Sequence, residues 1–205
     1  MGCIHEWPIA ELKKEHNLEV AVESGTEKGS GTIHLASHNF KKVYTIELLE
    51  HVFNSNDFSH TPSIHALLGS SIDVLPNILK ENHDVPTLFW LDGHLPSFYG
   101  HPRDEKTERP LKKELELIVK NKNASKDVII IDDLRIYEDG SYANGNCARW
   151  AMPPEEEHGI TFMYESFKET HLIVKDNRAE GYLIMEPLTP YSKRKNLLSC
   201  QELIK

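Results

Sequence analysis

Carboxylates stand at the ends of apolar runs throughout this chain: Glu23, Glu47, Asp92 and the pair Asp132-Asp133. A carboxylate so placed can accept hydrogen bonds from ligand hydroxyls, hold a proton, or bind a hard cation through oxygen. His94, two residues past Asp92, adds an imidazole. Its ordinary pKa of about 6.5 suits proton uptake at neutral pH. After Glu23 the chain reads Ser24-Gly25-Thr26-Glu27-Lys28-Gly29-Ser30-Gly31-Thr32, a glycine-rich loop leading into a helical pattern. A strand, a tight turn, a helix and a carboxylate closing the next strand form the opening half of a nucleotide-type α/β site.

The glycine spacing narrows what such a loop holds. Gly25, Gly29 and Gly31 are spaced Gly-x3-Gly-x-Gly, which is not the Gly-x-Gly-x-x-Gly of dinucleotide sites. Lys28 precedes the second glycine, so no lysine is placed to reach terminal phosphates as a P-loop requires. What is left is a loop in which a ligand lies against bare backbone, where a Cβ would intrude. At the acidic edge, unpaired carboxylates repel and must share protons, find cations or bind metal. An all-oxygen set suits Mg²⁺ or Ca²⁺. Arg135, two residues past Asp133, offers the plainer alternative of an ion pair.

These residues need elements to position them. Apolar runs predict strands over 19–24, 42–47, 64–69, 87–92 and 127–133, with helices over 30–38, 48–54, 72–82 and 109–121 between them. The last helix has Leu111, Leu115, Ile118 and Val119 at helical spacing behind Pro110. Strands alternating with helices imply parallel pairing through right-handed crossovers. After Asp133 the alternation stops: 137–154 reads as a long loop, and runs at 171–175 and 181–185 flank an Asp176-Asn177-Arg178 turn. That is a hairpin, so the sheet ends antiparallel. The expectation is a single α/β domain over 1–205, with a core of about 18–186, a Rossmann-like doubly wound sheet, an N-terminal helix and a C-terminal tail. The segment Leu95 to Arg109 is long and polar and reads as a substrate lid or a surface loop, and Ser141 to Trp150 is the other loop on the same edge. Phe98, Tyr99, His101 and Arg103 are candidate acceptor contacts, while Trp150 is read as packing.

Composition excludes some classes. The formal charge of −9 argues against coating a nucleic-acid backbone, and the basic run Lys193-Arg194-Lys195 reads as a solvated tail. Three widely separated cysteines, Cys3, Cys147 and Cys200, support neither a disulfide framework nor a thiolate metal site. With no apolar run of spanning length and no signal-peptide core, a cytoplasmic location is expected and no membrane partner. Whether the chain is a monomer or a homo-oligomer stays open.

Glu23-Ser24-Gly25-Thr26 with Gly29 and Thr32 resembles the first motif of the class I S-adenosylmethionine-dependent methyltransferases, in a Glu-Ser-Gly-Thr variant form. The resemblance runs in order from about residue 18 to 186. It implies the strand order 3-2-1-4-5-7-6, S-adenosylmethionine as cofactor, and a ribose contact at Glu47. It places Ser70 and Ser71 beside the adenine, and Asp92 beside the methionine part and the methyl group. Asp92, Asp132 and Asp133 are similar to the divalent-metal ligands of small-molecule O-methyltransferases, which implies Mg²⁺ (or Ca²⁺) there. His94 would then be a general base, a further metal ligand or a loop residue bonded to backbone. Taken singly, Gly25-Thr26 reads as a turn, Glu47 as a helix-start carboxylate, and Ser70-Ser71 as caps. The implied activity is methylation of a hydroxyl on a small-molecule or sugar acceptor. The alternatives are a non-catalytic member of the fold, or a metal-dependent hydrolase or glycosyl-transfer enzyme built on the acidic cluster alone.

Overall fold

The computed structural model describes residues 3–188, and Lys193-Arg194-Lys195 and Cys200 lie outside that range. Its strands are β1 Val20–Ser24, β2 Lys42–Glu47, β3 Ile64–Leu68, β4 Thr87–Leu91, β5 Val128–Ile131, β6 His171–Asp176 and β7 Tyr182–Pro187. The helices are α1 Ile9–Glu15, α2 Ser30–Ser37, α3 Glu50–Ser55, α4 Ser71–Glu81, α5 Glu105–Glu108, α6 Leu111–Asn121 and α7 Thr161–Tyr164. The sheet order is β3-β2-β1-β4-β5-β7-β6. β1 to β5 pair in parallel, and β7 runs antiparallel to both β5 and β6. The fold is the one expected.

Alternation along the strands divides the core into two layers. Val20, Val22, Phe89, Leu91, Ile129 and Ile131 face one side, where Leu75 and Ile78 of α4 and Leu111, Leu115 and Ile118 of α6 cover them. Ala21, Leu88, Trp90, Val128 and Ile130 face the other, under Ile4, Ile9, Leu12 and Leu35 from the N-terminal segment and α2. β1, β4 and β5 are buried at every position, which is why they read as unbroken apolar runs. The outer strand β3 is only partly covered.

Several boundaries differ from the sequence reading, each for a local reason. β5 is shorter than 127–133 because Asp133 adopts a left-handed φ of 59° and ends it. At its start, the Asp127 side chain accepts from Thr87 N–H at 2.9 Å and lies 3.5 Å from Lys122 Nζ. α6 begins after Pro110, which caps it, instead of at Arg109. The 137–154 segment is irregular, as expected, but it packs inward: Tyr137, Tyr142, Ala151 and Met152 are buried.

Candidate active site

The parallel strands deliver their chemical groups to one edge. β1 ends at Ser24, in register with Ile46 of β2 and Leu91 of β4. The ladder runs one residue further. Gly25 N–H donates to Ile46 O (3.0 Å), Asp92 N–H to Ser24 O (3.1 Å), and Asp132 N–H to Leu91 O (3.2 Å). Gly25 turns there with φ +89°, and a Cβ on it would stand 2.7 Å from the Asp92 carbonyl oxygen. Only glycine fits that approach.

A cavity of about 320 Å³ opens on this edge, within the roughly 300–1,000 Å³ of small-molecule sites. Ser24, Gly25, Glu47, Ser70, Ser71, Asp92, His94 and Asp133 line it. Glu47 is held by two backbone donors: Leu49 N–H reaches Oε1 at 2.8 Å, and Glu27 N–H reaches Oε2 at 3.1 Å. A carboxylate accepts at about four positions, so this one keeps acceptor capacity on the cavity wall.

Glu23, Thr26, Gly29 and Thr32 were expected at the cofactor, but they are not among the lining residues. Glu23 Oε2 accepts from Thr32 Oγ1 at 2.5 Å and from Thr45 Oγ1 at 2.7 Å, and the Thr26 and Thr45 hydroxyls meet at 2.6 Å. This network is buried beneath the loop. Gly31 makes room for it, because a Cβ there would collide with Glu23 Oε1. Burial pushes the Glu23 carboxyl up to about 7, against the pull of the threonine hydroxyls. Gly29 caps α2 in the left-handed region. The four residues therefore shape the loop from below.

At the acidic edge, burial and then the neighbouring Asp132 and Asp133 charges raise Asp92 well above the usual carboxylate range. Burial lifts Asp133 to about 6, and the Arg135 guanidinium pulls it back. Asp132 is buried; its Oδ1 accepts from Asp133 N–H at 2.7 Å, and its Oδ2 has no hydrogen-bond partner among the described residues. The expected metal set needs correcting. The carboxylates that gather within 4.8 Å of one another are Asp132, Asp133 and Glu180, and Asp92 is not in that group. Arg135 already serves this cluster, lying 3.6 Å from Asp133 and 3.3 Å from Glu180, and Asn144 donates to Glu180 at 3.0 Å. His94 is buried, and burial drives its imidazole down to about 4, so it is neutral at pH 7. Its ring meets Tyr137 edge-on with centroids 5.8 Å apart.

Both segments contribute to the cavity lining, Leu95 to Arg109 with several residues and Ser141 to Trp150 with Cys147. Phe98 and Tyr99 line the cavity, while His101 and Arg103 do not. Trp150 does not line the cavity and is 56 % exposed. It meets Phe98 edge-on with centroids 5.1 Å apart, and Arg103 donates to its carbonyl oxygen. Glu27 and Cys147 also line the cavity and were missed by the sequence reading. Neither carries a spacing signal. Glu114 was missed although its signal was present: it sits on the apolar face of α6 and is fully buried.

No protein-family model matches the chain, and neither does any curated protein. Solved structures do match. A provisionally named caffeoyl-CoA O-methyltransferase from Staphylococcus aureus superposes with a TM-score of 0.61 at 13 % identity, covering 92 % of this chain and 85 % of that one. The O-methyltransferase TomG from Streptomyces achromogenes, in complex with S-adenosylmethionine, gives 0.54 at 13 % identity over 88 % and 78 %. An O-methyltransferase from Bacillus cereus with S-adenosylhomocysteine gives 0.52 at 14 % over 88 % and 79 %. The chain thus has the fold of the class I S-adenosylmethionine-dependent methyltransferases.

Proposed function

We propose that this chain is an S-adenosylmethionine-dependent methyltransferase acting on a hydroxyl of a small-molecule or sugar acceptor. The observation that carries the reading is Glu47, a carboxylate fixed by two backbone donors on the wall of a cavity at the carboxyl edge of the sheet. Its free acceptor capacity suits the vicinal hydroxyls of a ribose. Ser24 and Gly25 would offer backbone to the methionine part, and Ser70 and Ser71 would border the adenine, since all four line the cavity. Asp92 stands on the side where the methyl group would face the acceptor. The bound cofactor supplies an electrophilic methyl carbon. The protein's part is to align the acceptor oxygen with it, exclude water, and receive the hydroxyl proton. His94 is neutral and can accept a proton, although its low basicity makes it a weaker base than an ordinary imidazole. Asp133, whose carboxyl is lifted to about 6, and Asp92, whose carboxyl is also raised by burial, line the same cavity.

A divalent cation belongs to the proposal as an assistant. The donor chemistry fits: Asp132 and Asp133 offer oxygen ligands, and Asp132 Oδ2 is buried without a hydrogen-bond partner among the described residues. Asp132 and Asp133 would hold the ion, with Asp92 beside them, and it would acidify and orient the acceptor hydroxyl. Arg135 competes for the same carboxylates. The cavity joins Glu47 to the acidic edge, which favours a cofactor-dependent reaction over a hydrolase that uses the cluster alone.

The test is calorimetric titration with S-adenosylhomocysteine, with and without Mg²⁺. Binding is expected in both, and absence of binding in both would sink the reading. Glu47→Ala should weaken binding about tenfold to a hundredfold, the worth of hydrogen bonds to a charged group. Tight binding without methyl transfer to a broad panel of hydroxyl, amine and carboxyl acceptors would leave the non-catalytic member of the fold.

A further inference from the structure

Three histidines outside the cavity meet one another. His34 lies in the last turn of α2 and His38 caps that helix, one turn further on. Their Nε2 atoms are 3.3 Å apart. His5, from the N-terminal segment, lies against His34 with the rings tilted at 44° and their centroids 4.1 Å apart, and His34 meets His38 edge-on at 4.7 Å. His5 is exposed and the other two are half-buried. None of the three lines the cavity.

We propose that His34 and His38, joined by His5, form a binding site for a borderline transition-metal ion, with Zn²⁺ as the reference case. Two nitrogens bound at about 2.0–2.1 Å to one tetrahedral ion stand about 3.3 Å apart, which is the spacing between these two Nε2 atoms. Histidines four residues apart on a helix present their rings on one face, the arrangement used by helical zinc sites. All-imidazole ligation selects zinc, copper or nickel over magnesium or calcium. The place also favours a cation, since the end of α2 carries the negative pole of its dipole. Neutral imidazole is the form that binds metal. His5, exposed on a short 3-10 turn, would have to turn its side chain to become a third ligand, because the three histidines do not already gather their nitrogens within 4.8 Å of one another.

This inference does not depend on methyl transfer. The full chain, made without a histidine tag and stripped with chelator, is titrated with Zn²⁺ by calorimetry and with Co²⁺ by visible absorption. One equivalent is expected to be lost in the His34→Ala/His38→Ala double variant. Each single change should weaken it at least about tenfold, since the loss of even an outer-shell partner costs a metal site that much. His5→Ala should weaken it less. Zn²⁺ should also raise the melting temperature of the parent protein and not that of the double variant, whose own cooperative melt checks that it is folded. If Zn²⁺ fails to bind, or binds the double variant with unchanged stoichiometry and affinity, the site does not exist and the 3.3 Å contact is an imidazole–imidazole hydrogen bond. Loss of that equivalent on His16→Ala instead would move the ion to the Glu15, His16 and Glu186 group and overturn the assignment.

Discussion

Glu114 sits where helical periodicity puts a core residue, one turn after Leu111 and beside Leu115. Burial pushes its carboxyl up to about 7 from 4.5, with the hydroxyls of Ser71 and Ser24 pulling it back. The folded state therefore keeps a proton that the unfolded chain releases. Below about pH 4.5 both states hold it and its contribution is complete. As pH rises towards 7 the unfolded chain ionises first and stability falls, and above 7 the loss is constant. Glu114→Gln should remove this slope, because a neutral amide does not titrate. The variant should be more stable than the parent by a few kcal/mol at about pH 8 and little changed at about pH 5, since each pH unit between the two pKa values is worth about 1.4 kcal/mol. Urea unfolding of both proteins at the two pH values measures it, and Glu23 and Asp127, also raised to about 7, cancel in the comparison. An equal difference at both pH values would refute it. Gly25 makes a second residue-scale case. Gly25→Ala should cost about 1–2 kcal/mol from the left-handed backbone alone, plus displacement of the Asp92 carbonyl. It should also abolish S-adenosylhomocysteine binding in calorimetry.

Among the elements, the segments 95–109 and 141–150 touch each other. Phe98 meets Trp150 edge-on, and the Arg103 guanidinium lies 5.8 Å over the Trp150 ring. On the proposed function, Trp150→Ala should raise the acceptor KM several-fold and leave S-adenosylhomocysteine affinity unchanged, because Trp150 is not among the cavity-lining residues. Steady-state kinetics against calorimetry separates the two effects. At this scale much was legible in the sequence. Unbroken apolar runs marked β4 and β5, and every main strand and helix lies within a few residues of its expected place. Side-chain placement was not legible, because it depends on register. Glu23 pairs across with Thr45, two residues inside the end of β2, whereas Glu47 is the last residue of that strand. One carboxylate is thereby sealed among threonines and the other reaches the cavity. Glu180 could not be linked to Asp132 and Asp133 either, since only the reversed direction of β7 brings it to that edge.

For the whole molecule, the sheet separates two tasks. Its two faces carry the core layers, and its carboxyl edge carries the cavity. A ligand that binds only the folded chain stabilises it by about 2.7 kcal/mol at a hundred times its dissociation constant. For a chain of this length that corresponds to a rise in melting temperature of roughly 5–11 °C. Differential scanning fluorimetry with S-adenosylhomocysteine should show that rise, and Glu47→Ala at the same ligand concentration should lose most of it. An equal rise in the variant would remove Glu47 from the site.

The place of β7 between β5 and β6 also bears on how the chain is made. Synthesis delivers β1 to β5 before any of the closing hairpin exists, so β5 waits as an outer strand with four apolar side chains in a row, Val128 to Ile131. Leu134 N–H and Arg135 N–H find their acceptors, the carbonyls of Gly181 and Glu180, only when the hairpin docks. A nascent chain can thus hold Glu47 in place while the acidic edge is still unfinished. Its most aggregation-prone moment falls between the emergence of residues 131 and 187, and a ribosome stalled there would present a half-built domain with an open seam.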